Sequence, residues 1–159
     1  MLPNDLLEKK RMSGDRFFVD TNVLLYTFDR KDEAKRSQAQ LWVDWLWQST
    51  AAYISWQVLQ EFYHNAVGKL GVPADQARLA VTAWSEWRPP DVTLGLFERA
   101  WFWTDQAQIS FWDALIVSAA ERAGCRWLLS EDFQAGRTFG AITVLSPFAS
   151  DPGDRFRQA

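Results

Sequence analysis

Apolar and polar positions alternate along the chain in a way that predicts short strands separated by amphipathic helices. "FFVD" (17–20) is short, apolar and β-prone, so it reads as a buried strand that ends on an acid. "VLLYTF" continues as a helix. In "KDEAKRSQAQLWVDWLWQS" the apolar residues Ala34, Leu41, Trp45 and Leu46 follow a helical spacing against a polar face. "AAYIS" (51–55) predicts a second short strand, and "WQVLQEFYHNAVGKLG" an amphipathic helix closed at Gly68 or Gly71. Pro73 opens another helix that runs towards Trp87, and "RPPD" makes a turn. "VTLGLFERAWFWTDQA" is helical again, and "SFWDALIVSAAERAG" is the clearest helix of all, stopped by Gly124. "RWLLS" predicts a strand, "EDFQAGRTFG" a loop, and "AITVLS" a last strand before Pro147. Short apolar strands alternating with helices predict an α/β fold, a three-layer α/β/α arrangement around a central, mostly parallel sheet of four to five short strands. The expected boundaries are a flexible leader at 1–15, one domain at 16–148 and a tail at 149–159, with Met12 a candidate natural start.

Composition narrows the class. A chain of 159 residues with 48% hydrophobic content can bury the core of one domain. The balance of 17 Lys+Arg against 20 Asp+Glu argues against a protein that holds nucleic acid by overall basicity. It leaves room for a nuclease, because acids gathered around a metal lower the total charge without repelling substrate once the ion is bound. The single cysteine, Cys125, rules out an intramolecular disulfide and fits a reducing cytoplasm, where it is expected as a buried small hydrophobe. The first residues lack the apolar stretch of a signal peptide, and no charge-free run approaches the roughly 20 residues of a membrane helix. Ten tryptophans are many for this length. Those in "LWVDWLW" (41–47) and "AWFW" (100–103) are expected to fill the core and to leave apolar surface for a dimer or partner interface.

Carboxylates carry the chemistry. Ligands of such sheets sit beyond the carboxyl ends of the strands. Asp20 closes the first strand, Glu61 lies on the helix after the second, Asp113 opens the helix leading into the third, and Asp132 follows "LLS" directly. Each has an ordinary explanation. Asp20 could cap a helix, a role worth about 0.5–2 kcal/mol. Ser110-x-x-Asp113 resembles a capping box, Asp132 could make an Asx-turn, and Glu61 could point to solvent. Capping, however, requires no agreement between elements. Four carboxylates brought to one sheet edge repel one another unless protons or cations intervene. Oxygen ligands without a Cys or His cluster select a hard ion, Mg2+ or Mn2+, and such an ion activates water for attack on a phosphodiester.

The blocks "FFVDTNVLLY", "VLQEFYHNAV", "SFWDALIVSAAERAGCRWLLSEDF" and "GAITVLSPF" resemble, in order and spacing, those of PIN domains, most of all the VapC-type ribonuclease toxins of VapBC toxin–antitoxin systems. The likeness spans residues 16–148. It implies that Asp20, Glu61, Asp113 and Asp132 match the family's four acids, with Asp20 and Asp113 as the main metal ligands. Asn22 and Ser130 would orient carboxylates or water from behind them. It also implies a metal-dependent endoribonuclease, an antitoxin protein that blocks the site, and a homodimer. Glu131, beside Asp132, could share the fourth role. Arg30, Lys31, Lys35, Arg36 and Arg137 are candidate RNA contacts, and each could equally be a solvated surface cation. His64, three residues after Glu61, reads as a packed or surface residue rather than a ligand.

Two other activities are poorly supported. A phosphatase using Asp20 as nucleophile needs a second Asp where Asn22 stands and a later Lys, and no lysine follows Lys69. A dinucleotide site needs a G-x-G-x-x-G after a strand, and none is present. The remaining alternative to the nuclease is a non-catalytic PIN-like module that binds protein or RNA.

Overall fold

A computed structural model describes residues 14–152. Most of the expected leader, with Met12, and the end of the tail lie outside the described residues. The elements in order are β1 (Phe17–Val19), α1 (Thr21–Tyr26), α2 (Glu33–Ser49), β2 (Ala52–Tyr53), α3 (Trp56–Gly68), α4 (Ala74–Trp84) with a 3-10 turn (Ser85–Trp87), α5 (Leu94–Ala107), α6 (Phe111–Arg122), β3 (Trp127–Leu129), β4 (Thr138–Phe139) and β5 (Ile142–Leu145). The strands form one sheet in the order β2-β1-β3-β5-β4. All pairings are parallel except β4 with β5. This is the expected α/β architecture.

The sheet is buried because its strands carry apolar residues on both faces. Phe17, Phe18 and Val19 of β1 and Leu128 and Leu129 of β3 have no exposed surface, as expected for parallel strands covered by helices on either side. In α6 every residue from Ala114 to Ala120 is buried, so this helix is enclosed rather than amphipathic. Its one polar interior group, the Ser118 hydroxyl, donates back to the Ala114 carbonyl at 2.7 Å. Gly124 ends the segment at φ +68, a conformation that β-carbon-bearing residues adopt only under strain. No described helix is long and apolar enough to cross a membrane.

Two details differ from the sequence expectation. The buried stripe of α2 is Ala39, Trp42, Val43 and Leu46, at i, i+3, i+4 and i+7, whereas Ala34 and Leu41 face outward and Trp45 is half-buried. Trp42 decides the rotation, because its indole N–H donates to the carbonyls of Pro147 and Ser150 at 2.9 and 3.0 Å. The other difference is inside "EDFQAGRTFG", whose end forms strand β4. It folds back antiparallel on β5 with Phe139 opposite Ile142. The two-residue turn between them starts at Gly140, whose φ of +59 suits a tight hairpin.

Candidate active site

The register of the sheet creates the site. Val19 lies opposite Leu129, so the next residues, Asp20 and Ser130, leave β1 and β3 side by side at the carboxyl edge. The backbone continues the ladder one step further: Asp20 N–H donates to the Leu129 carbonyl (3.0 Å) and Ser130 N–H to that of Leu145 (3.1 Å). Both side chains are buried, with Asp20 only 6% exposed.

Asp20 is held from three directions. Its Oδ1 accepts from the Thr21 N–H at 2.8 Å. Its Oδ2 accepts from the Ser130 hydroxyl at 2.7 Å and from the Asn22 amide at 3.2 Å. An ordinary helix cap bonds the second or third helical N–H, so the bond to the first, Thr21, leaves Asp20 an atypical cap. Ser130 is the hub. Its Oγ donates to Asp20 and accepts from the Asn22 amide (3.2 Å) and the Asp132 N–H (3.1 Å), which uses its one proton and both lone pairs. Asn22 returns the link by accepting from the Glu131 N–H at 3.1 Å.

Glu61 reaches the same edge from α3. Its Oε2 accepts from the Thr21 hydroxyl at 2.9 Å and its Oε1 from the Gln57 amide at 3.0 Å. Gln57 also donates to the Trp112 carbonyl at 3.2 Å, so one amide ties Glu61 to the start of α6, where Asp113 stands. Ser110 caps α6 by accepting from the Asp113 N–H at 3.1 Å. Among the described residues no reciprocal bond from the Asp113 carboxylate completes a capping box, and that carboxylate is exposed.

Electrostatics mark Asp20. Burial pushes its carboxyl up to about 6; the bonds from Ser130 and Thr21 oppose the rise, and the negative charges of Asp132 and Glu61 add to it. Asp132 and Glu61 thus both act electrostatically on Asp20, whereas the link towards Asp113 is only the Gln57 bond to the carbonyl of its neighbour Trp112. Oxygen donors of this kind fit a hard divalent ion. Among the described residues no three acidic, His or Cys side chains already stand close enough to hold one. Asp113 and Asp132 are exposed, so closing such a set would fall to these two surface carboxylates.

The sequence left Glu131 and Asp132 as competitors, and their surroundings differ. Glu131 forms an ion pair with Lys35, and the Lys35 ammonium also donates to the Tyr26 hydroxyl at 3.3 Å. Lys35 in turn lies over the Tyr26 and Phe148 rings. Arg36 pairs with Glu33, and Arg137 donates to the Ala107 carbonyl at 2.6 Å while lying over Phe139. These three cations therefore have intramolecular partners. Arg30 and Lys31 are exposed, as is His64. Sequence reasoning missed Thr21 and Gln57, the groups that aim Glu61. It also missed Lys69, which lines a cavity of about 270 Å3 together with Asn22, Asn65 and Asp132. The spacing Glu61, Asn65, Lys69, one face of α3 at intervals of four, was the signal available.

The sequence profile of the PIN domain matches residues 17–138. The chain belongs to the PIN domain family. The same fold occurs in the crystal structure of VapC20 of Mycobacterium tuberculosis, a toxin that cleaves the sarcin–ricin loop. The two share 25% identity with a TM-score of 0.56, over 73% of this chain and 91% of that one. No curated protein sequence gives a significant match. In this PIN domain the acidic edge falls within the matched residues, and the match ends inside β4, so the hairpin turn and β5 lie beyond it.

Proposed function

We propose that this PIN domain is a metal-dependent endoribonuclease, the toxin of a type II toxin–antitoxin pair. The observation that carries the reading is the buried Asp20 carboxylate, opposed by Glu61 and Asp132 at the carboxyl edge of a parallel sheet in a PIN chain. The toxin VapC20, similar in fold, adds RNA as the substrate class. An RNA substrate and a lone buried cysteine fit a cytoplasmic setting. An antitoxin protein would cover the acidic edge. The exposed Trp101 and Phe102 of α5 suit a homodimer contact.

Asp20 and Asp113 would hold Mg2+ or Mn2+, with Glu61 and Asp132 completing the acidic set. Bound there, the ion would supply water activation and charge neutralisation at phosphate. The chain's own groups do the positioning. Ser130, Asn22 and the Thr21 N–H fix the Asp20 carboxylate, so its lone pairs point one way before substrate arrives. Thr21 and Gln57 do the same for Glu61. Ser130 holds the Asp132 backbone against Asp20, and the Ser110 cap fixes the turn that presents Asp113.

The test is RNA incubated with purified protein in Mg2+ or Mn2+, against chelator and against Asp113→Asn. Cleavage that needs the ion and Asp113, leaving 5′-phosphate and 3′-hydroxyl ends, is expected. Ends carrying 2′,3′-cyclic phosphate would refute the hydrolytic scheme, and RNA binding without cleavage would favour the non-catalytic module.

A further inference from the structure

An acidic nuclease faces a problem with its substrate. The chain carries a net charge of −3, and four of its carboxylates belong to the candidate site, so RNA is repelled except where cations are grouped locally. Three of the five cations first considered are engaged internally, as described for Lys35, Arg36 and Arg137. Arg30, Lys31 and Lys69 are exposed, and among the described residues none of them forms an ion pair.

These three line two neighbouring cavities that share part of their walls. The cavity that contains Asn22 and Asp132 also contains Asp29, Lys69 and Leu70. A second cavity, of about 370 Å3, shares Asp29, Lys69 and Leu70 with it and continues to Arg30 and Lys31. Lys69 thus stands where the two meet, between the acidic edge and the basic pair. Asp29 is the acid within this path, and its Oδ1 is directed to the Lys31 N–H at 2.9 Å. Glu131, on the wall of the first cavity, is paired with Lys35.

We propose that Lys69, Arg30 and Lys31 form a phosphate track that receives the backbone of single-stranded RNA on one side of the acidic edge. The track rests on the ribonuclease reading for its substrate class. The strand enters past Asp132, crosses Lys69 at the carboxyl end of α3, and continues over Arg30 and Lys31 in the turn after α1. Contacts of this kind hold the backbone in place and read no bases, so base selectivity would come from elsewhere.

Binding without cleavage separates the track from the chemistry. Anisotropy of a labelled single-stranded RNA is measured in chelator from about 50 to 200 mM salt, the range in which phosphate contacts show as a slope. For single strands each contact adds about 0.7 to the slope of log K against log salt. Lys69→Ala should lower the slope by about 0.7 and the triple variant with Arg30→Ala and Lys31→Ala by about 2. Lys69→Arg should restore it. Arg126→Ala, which removes an exposed cation at the amino end of β3, should leave the slope unchanged. If Lys69→Ala and the triple variant bind RNA with the wild-type slope, or the wild type binds none at the lowest salt, the track is wrong. A Lys69 that served only the end of α3 would lower the melting temperature on substitution and leave the slope alone, which also overturns it. Wild-type RNA binding that depends on the three cations, but without cleavage in Mg2+, would support the track and sink the ribonuclease reading instead.

Discussion

Asp20 is a carboxylate that the fold holds in an unfavourable place. Its carboxyl is raised from the ordinary 3.8 to about 6, first by burial and then by Asp132 and Glu61. Below the ordinary value it is protonated in both folded and unfolded chains; above the raised one it is charged in both. Between them the folded chain holds the extra proton, so stability falls as pH rises from about 4 to about 6, by roughly 3 kcal/mol from this group. In chelator, denaturant unfolding should show that fall, and Asp20→Asn should remove it. At neutral pH millimolar Mg2+ or Mn2+ should raise the melting temperature of the wild type and not of the variant. Ser130→Ala deletes the bond that most strongly lowers the Asp20 carboxyl. It should cost about 1–3 kcal/mol and move the sloping region to higher pH, with RNA cleavage falling in parallel. At this scale the sequence was only partly legible. An acid ending a strand is visible, but a cap and a ligand look alike in one dimension. Glu131 and Asp132 were separable only once Lys35 stood against one of them. Thr21 and Gln57 were unreadable for the same reason, since a polar residue beside an acid predicts no direction.

Helices α1 and α6 carry their acids at their amino ends. Ser110 caps α6 and so fixes the turn that carries Asp113. Ser110→Ala should cost about 1 kcal/mol in unfolding, with a larger proportional loss of cleavage, and Ser110→Asn should recover the stability. A cleavage rate that falls no more than stability accounts for would remove the cap from the catalytic argument. The elements themselves were legible because α6 and the flanking strands carry long apolar runs between glycine and polar breaks. The rotation of α2 was harder. Trp42, Trp45 and Trp47 put large apolar groups on several faces, and what selects Trp42 is a pair of carbonyls more than a hundred residues away. Strand β4 is two residues long and pairs only within its own hairpin, too short for any periodicity to register.

At the scale of the whole molecule, tryptophan is divided between two tasks. Trp42, Trp84, Trp87 and Trp103 are buried, whereas Trp101 is 51% exposed and Trp112 64%. If α5 pairs with a second copy, Trp101→Glu should convert a concentration-dependent dimer to monomer in sedimentation and leave the melting temperature of the monomer unchanged. A wild type that sediments as a monomer throughout would remove the homodimer.

Both outer strands of the sheet, β2 and β4, are only two residues long. On β2, Tyr53 is flanked by two guanidinium groups, Arg16 at 5.1 Å and Arg88 at 4.3 Å from its ring. Short margins screened by positive charge give an incoming chain little main-chain template to extend. An antitoxin or a sister subunit would therefore dock mainly through side chains and helix surfaces. A pocket-filling mimic should then compete with such a partner better than a peptide made to zip onto the sheet.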